Sequence, residues 1–171
     1  MRAPISMLFA ALMLSLMVAV VAAGPAAASQ RSANDAVMLQ LINNVRTQRG
    51  LAPLRVHAAL SRAALAHARD MMRRQYFSHS SPGGANCAVR ARRAGYANSG
   101  CRPWVGEVLG WGTSFVGTPR AVFNNWMRSA YHRSVILGRR WRDVGIGSVS
   151  GTFKGASGAW MYTVDVGRRS K

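Results

Sequence analysis

Apolar residues recur along this chain at two different periods, and the order in which those periods follow one another restricts the fold. Val37, Met38, Leu41, Ile42 and Val45 recur at steps of three and four. That is one stripe of a helix, capped by Asn34 or Asp35, running to about Arg49 and stopped by Gly50. Leu51-Ala52-Pro53-Leu54 reads as a loop whose leucines plug the core. A second helix is expected over Ala58–Gln75, with Leu60, Ala64, Leu65, Ala68, Met71 and Met72 inside and Arg62, Arg69, Arg73 and Arg74 outside. After a Ser/Pro/Gly loop, Asn86 opens a short helix over Cys87–Ala94. Val105–Leu109 reads as extended and Gly110–Gly117 as irregular. Thr118-Pro119 then starts a helix with a cap residue and proline at its first position, carrying Val122, Phe123, Trp126 and Met127. A turn and a further short helix reach Leu137. Asp143–Ser150 and Ala159–Gly167 alternate as strands around a glycine-rich turn. Helices and strands therefore do not alternate regularly, which argues against a doubly wound parallel sheet. An α+β fold is expected: a three-layer α-β-α sandwich around a central, mostly antiparallel sheet.

The first 28 residues read as a cleaved secretory signal peptide. Arg2 supplies a basic start and Met7–Val21 an apolar run shorter than the ~20 residues of a membrane span. Gly24-Pro25 breaks that run, and Ala26-Ala27-Ala28 forms an A-x-A cleavage site before Ser29. No transmembrane segment is expected in residues 29–171, which suit a single domain. Lys and Arg number 23 against 5 Asp and Glu, giving a net charge of +18. All the basic residues but Lys154 and Lys171 are arginine, whose planar fork matches phosphate and carboxylate. Adhesion to anionic envelope components or lipid headgroups is expected, and it should weaken with salt. A specific nucleic-acid role is not expected, since no aromatic stacking platform accompanies the arginines. Cys87 and Cys101 suit one disulfide in an oxidising compartment, worth ~3 kcal/mol in the chain-entropy model.

Glu107, in the stretch Val105–Gly112 (VGEVLGWG), is the only glutamate in the chain. The plain reading is a strand residue paired with one of many arginines. His67 and Asp70, three apart on a helix, suggest a structural pair. His57 precedes the same helix as a cap or surface residue. Trp126 and Trp160 fall in core patterns, whereas Trp104 and Trp111 flank Glu107 and suit cleft walls. Asp165 shares a strand face with Met161 and Thr163 and would add a late carboxylate. The arginine runs at 90–93 and 139–142 read as solvated faces.

Several segments together resemble the CAP superfamily (cysteine-rich secretory proteins, antigen 5, pathogenesis-related 1) in its bacterial SCP-like branch. They are Leu41-Ile42-Asn43-Asn44-Val45-Arg46, Ala66-His67-Ala68-Arg69-Asp70-Met71, Phe77-Ser78-His79, Gly106-Glu107, Trp126 through Leu137, Asp143-Val144-Gly145-Ile146-Gly147 and Tyr162-Thr163. The likeness covers residues 36–167 and implies a secreted domain of the CAP/SCP fold with a shallow cleft gathering histidines and acids; a monomer is expected. His79 matches the first family histidine and Glu107 the family's GEN glutamate, with Val108 as the third residue. Ser129 stands where eukaryotic members carry a second glutamate. Met161 falls near their second histidine, so that ligand is lost. His132 belongs to the S-x-x-H arrangement of the bacterial branch.

These residues allow three kinds of chemistry. His79 and His132, with Glu107, would give a divalent metal such as zinc three ligands and an open position. His79, Glu107, Ser129 and His132 would give an acid–base or Ser–His hydrolase, although no oxyanion-hole motif or G-x-S-x-G is present. Binding without catalysis, of an envelope component or a lipid-like ligand, is the reading the family resemblance favours.

Overall fold

The structure is a computed structural model that describes residues 25–97 and 104–169. Helix α1 spans Pro25–Thr47 and starts well before the expected cap. Ala26–Ala28 and the polar residues behind them are adequate helix formers, so Asn34 and Asp35 fall inside the helix. Their side chains turn to the sheet instead of capping. Asn34 Nδ2 donates to Tyr162 Oη at 3.3 Å, and Asp35 Oδ1 accepts from Ser148 Oγ at 2.6 Å. The predicted signal peptide lies outside the described residues except for Pro25–Ala28, which form the first turn of α1. Among the described residues no helix is long and apolar enough to cross a membrane.

Strand β1 (Arg55–Val56) leads into α2 (Ala58–Arg74), where His57 Nδ1 accepts from Ala59 N as the helix cap. Asn86 caps α3 (Cys87–Arg93) in the same way through Val89 N. Strand β2 spans Trp104–Gly112, longer than the alternation indicated, and a 3₁₀ turn follows over Ser114–Gly117. The stretch expected to be irregular is thus strand and tight turn, because its glycines pair with β4 rather than break the ladder. Thr118 caps α4 (Pro119–Arg128), with proline in its first turn as expected, and α5 spans Ala130–Ile136. The sheet is completed by β3 (Asp143–Phe153) and β4 (Ala156–Arg168).

The strand order is β1-β3-β4-β2. Only the short β1 is parallel to its neighbour; β3/β4 and β4/β2 are antiparallel. Period two divides the sheet between two helical layers. Val108, Val144, Ile146, Tyr162, Val164 and Val166 face one way, against Met38 and Ile42 of α1, Val122, Phe123 and Trp126 of α4 and Ile136 of α5. On the other face, Leu109 and Met161 meet Ala68 and Met71 of α2. Leu60 of α2 and Ala91 of α3 enclose Tyr96 beside them. The α-β-α sandwich read from the sequence is the observed fold.

Two glycines of β3 set how closely α2 approaches. A Cβ on Gly145 would lie 2.1 Å from the Leu60 carbonyl carbon, and one on Gly147 would lie 2.3 Å from Leu65 Cα. The helix backbone rests directly on the strand. Arg46, fully buried, ties the opposite layer together. Its guanidinium donates to the carbonyls of Ala52 (3.0 Å), Ile136 (2.7 Å) and Gly138 (3.1 Å), joining α1, the following loop and the end of α5.

Candidate functional site

Glu107 sits on β2, on the face turned to α2 and α3, and is only 4% exposed. Its two oxygens are taken by different partners. Oε1 accepts from His79 Nδ1 at 2.7 Å, and Oε2 accepts from Arg90 Nη2 at 2.5 Å. His67 Nε2 lies 3.9 Å from Oε2. The His79 and Arg90 contacts are both short hydrogen bonds, and the Arg90 one is largely shielded from water, where it is stronger than at a surface.

Local structure brings these partners together. Gln75 ends α2 in the left-handed region, with φ 58°, and turns the chain back along the sheet. His67 Nε2, from within α2, donates to Ser78 O at 2.9 Å and pins that return. Arg90 of α3 then holds the loop: its Nη1 donates to His79 O (2.9 Å) and Ala85 O (2.6 Å) while Nη2 reaches Glu107. His79 is thereby fixed at backbone and ring alike. Its Nδ1–H is spent on Glu107, which leaves Nε2 as the free edge of a side chain that is 49% exposed.

Asp165 of β4 stands directly across the ladder from Glu107 and is fully buried. Neither of its oxygens makes a hydrogen bond among the described residues, nor does Thr163 Oγ1 on the same face. Burial first, and then the facing charge of Glu107, push the Asp165 carboxyl well above the usual carboxylate range; Arg90 opposes this less strongly. The protonated form of Asp165 is therefore favoured over its charged form. His67 moves the other way. Burial lowers its pKa more than Glu107 raises it, and with Nε2 given to Ser78 its buried Nδ1 has no partner among the described residues.

Ser129 and His132 are placed at the α4–α5 junction. Ser129 Oγ accepts from the backbone N–H of His132 at 3.5 Å, as the cap of α5, so this hydroxyl is engaged with backbone. The His132 ring packs edge-on against Tyr131. Burial, and then the charge of His79, lower the His132 pKa, so the two imidazoles feel one another. The structure thus brings His79 and Glu107 into contact, sets His132 within electrostatic reach of His79, and gives Ser129 a capping role.

Among the described residues no three His, Cys, Asp or Glu side chains converge to hold a metal ion. Glu107 is saturated by His79 and Arg90, and what remains for a metal is the pair His79 and His132, short of a three-ligand zinc set. Trp104 is exposed and covered by the Arg140 guanidinium at 5.0 Å, and Trp111 packs edge-on against Phe153. Cys87 lies 3.9 Å from Val105 O; its expected partner, Cys101, lies outside the described residues.

Two members of the site escaped sequence reasoning. Arg90 reads as one of a solvated run, yet it is the principal cation on Glu107. His67 pairs not with Asp70 but with Ser78 O, while Asp70 takes Tyr76 Oη (2.6 Å) and Arg73 (3.1 Å). The available signal for Arg90 was its place four residues after the Asn86 cap, on the inner side of a short helix.

Residues 39–165 match the family described as the Cysteine-rich secretory protein family (CAP). The chain is 32% identical over 125 residues to the uncharacterized protein YkwD of Bacillus subtilis strain 168, a stretch that is 72% of this chain and 45% of that protein. It therefore spans less than half the length of that relative. An extracellular protein containing an SCP domain from Bacillus anthracis has a similar structure, with a TM-score of 0.70 and 22% identity over 86% of this chain and 44% of the other. An outer surface protein from Borrelia burgdorferi is similar with a TM-score of 0.68 and 16% identity, over 81% of this chain and 94% of the other. The matched residues run from within α1 to Asp165 and take in both halves of the Glu107 site; this chain belongs to the cysteine-rich secretory protein (CAP) family.

Proposed function

We propose that this is a secreted protein that acts outside the cytoplasm as a binding module, its His79–Glu107 cleft holding an envelope component or a lipid-like ligand. One observation carries this reading: Glu107 and Ser129 are already hydrogen-bonded within the fold, whereas His79 presents an open edge. Both Glu107 oxygens are occupied, Ser129 Oγ caps a helix, and His79 stands half exposed with Nε2 outward. A pre-oriented, half-exposed imidazole edge suits recognition of a polar headgroup. The excess of arginine favours an anionic one. The description of the similar Bacillus anthracis protein as extracellular, and of the Borrelia protein as an outer surface protein, supports a place outside the cytoplasm.

The test is binding of solubilised envelope fragments and anionic lipids to the wild type and to His79→Ala, with melting temperature measured in parallel. His79→Ala should weaken binding about tenfold, the effect of one lost hydrogen bond to a charged group. It also removes the partner of buried Glu107 Oε1, so the melting temperature should fall by a few degrees, and binding is compared at a temperature where both proteins are folded. Equal binding by both proteins would remove the cleft from the function.

The charge of His79 acts on His132, which favours a second reading, an extracellular hydrolase of envelope polymer or protein using His79, Glu107 and His132, with or without a metal such as zinc. Zinc-stimulated turnover of peptidoglycan or casein would support it. That turnover must fall in Glu107→Gln by more than the loss of folded protein explains. Calorimetry should then show zinc heat that His79→Ala abolishes.

A further inference from the structure

The 3₁₀ turn after β2 displays two large apolar side chains to solvent. Phe115 is 78% exposed and Val116 61% exposed, with Trp111 beside them at 39%. Single exposed apolar residues need no explanation, but this turn is built to hold its pair outward. Ser114 adopts φ 49°, a left-handed conformation that costs a non-glycine residue energy. Gly112 and Gly117 close face to face: a Cβ on Gly112 would lie 2.7 Å from Val116 O, and one on Gly117 would lie 2.4 Å from Gly112 O. Gly117 N donates to Thr113 O (3.1 Å), Thr118 Oγ1 to Phe115 O (2.8 Å), and the buried Tyr162 hydroxyl to Gly117 O (2.8 Å). These bonds fix the backbone of the tip, and with it the outward position of the two apolar side chains.

Its surroundings are basic. Arg120 and Arg128 of α4 line the cleft of about 440 Å³ that Trp111, Phe115 and Val116 also border, and neither arginine makes an ion pair among the described residues. We propose that this turn is a membrane-docking wedge, in which Phe115 and Val116 enter the headgroup–acyl boundary of an anionic bilayer while Arg120 and Arg128 meet lipid phosphates. The boundary offers both environments at the right separation, apolar beneath and phosphate above. A two-fold contact between copies of the chain through this face would instead gather both copies' Arg120 and Arg128 at one seam with no carboxylate among the residues lining it, a like-charge meeting that opposes self-association. The wedge lies apart from His79 and Glu107: Trp111 is four residues beyond Glu107 along β2, about 13 Å. Its function does not depend on what the cleft binds.

A protein of net charge +18 will adsorb to anionic vesicles at low salt whatever its shape, so the test is made on the intact protein at high salt. Co-sedimentation with mixed phosphatidylglycerol–phosphatidylcholine vesicles is compared with pure phosphatidylcholine vesicles. Wild type should retain binding to the mixed vesicles, and the exposed double substitution Phe115→Ser/Val116→Ser should weaken it on the order of tenfold. Phe115→Trp should strengthen it, because tryptophan favours the interface. Lipids brominated near the headgroup should quench a part of the tryptophan emission that is missing in Trp111→Phe. Arg120→Gln/Arg128→Gln should abolish the preference for phosphatidylglycerol. The proposal is overturned if the double serine variant binds like wild type at high salt, if no Trp111 emission is quenched, or if sedimentation shows a self-associating species that the same substitution disperses. Because His79, Glu107, Arg90 and His132 are left intact in every variant, these outcomes are distinct from a failure of the His79–Glu107 site to bind ligand.

Discussion

Asp165 holds a carboxyl that water does not reach, facing the charge of Glu107. In the unfolded chain it ionises near the ordinary value of 3.8; in the folded protein burial and Glu107 hold its pKa well above that. Between those two values the folded protein keeps a proton that the unfolded chain releases. Stability therefore falls as pH rises through that window and stays lowered above it. Asn has the shape of a protonated Asp and cannot ionise. Asp165→Asn should accordingly match the wild type below about pH 4 and be the more stable of the two at pH 7. Denaturant melts at both pH values measure this, and a loss of stability in the variant at pH 7 would mean that Asp165 is ionised in the folded protein. Sequence made part of this site visible. Glu107 stood out as the sole glutamate, and the FSH resemblance supplied His79. The Arg90 contact was hidden because a guanidinium in the run Arg90-Ala91-Arg92-Arg93 carries no mark of which member turns inward. The Asp165 contact was half legible: alternation gave its face, but only the strand register gave its partner.

The approach of α2 to β3 depends on the absence of two side chains. A Cβ on Gly147 would meet the Leu65 backbone at 2.3 Å, and a helix backbone cannot rotate away as a side chain can. Gly147→Ala should destabilise the protein by about 2 kcal/mol or more through overpacking. Gly151, on the same strand face, is the control: its Cβ would meet only the flexible Met72 side chain, at 3.2 Å, so Gly151→Ala should change stability by no more than about 0.5 kcal/mol. Urea midpoints for the two variants decide it; equal effects would mean that α2 can shift on the sheet. These glycines also show why some elements were readable and others were not. The long helices and the apolar halves of β2, β3 and β4 carry clear periods. The ends of β2, β3 and β4 contain Gly110, Gly112, Gly151 and Gly158, which look like turns in sequence but pair or flank the ladder in the structure. Strand β1 is two residues long and has no period to read. The start of α1 was misplaced because Asn34 and Asp35 are good caps in isolation, while tertiary bonds to Tyr162 and Ser148 draw them into the helix.

Across the whole molecule, each of the 5 acidic residues is already committed to the fold. Asp35 accepts from Ser148, Asp70 from Tyr76 and Arg73, Glu107 from His79 and Arg90, and Asp143 from Tyr96 with Arg169 near it, while Asp165 is buried. The remaining arginines share the surface with almost no countercharge, and their mutual repulsion is relieved by expansion of the chain. Salt acts on this balance in two opposite ways. It screens exposed pairs such as Asp70–Arg73, each worth at most about 1 kcal/mol, and leaves the Arg90–Glu107 pair nearly untouched because that pair is buried. It also screens the repulsion among the many unpaired cations, which act over the whole surface. The second effect involves more charges at longer range and should win. Raising monovalent salt from about 10 mM to about 150 mM shortens the screening length from about 30 Å to about 8 Å, and the melting temperature should rise by a few degrees, the response to roughly 1 kcal/mol. Thermal unfolding followed by circular dichroism in a chloride series tests this, and sulfate should raise the melting temperature further, since a divalent anion also binds between guanidinium groups. A melting temperature that falls with salt would mean that surface ion pairs, not repulsion among the arginines, dominate the electrostatics of the fold.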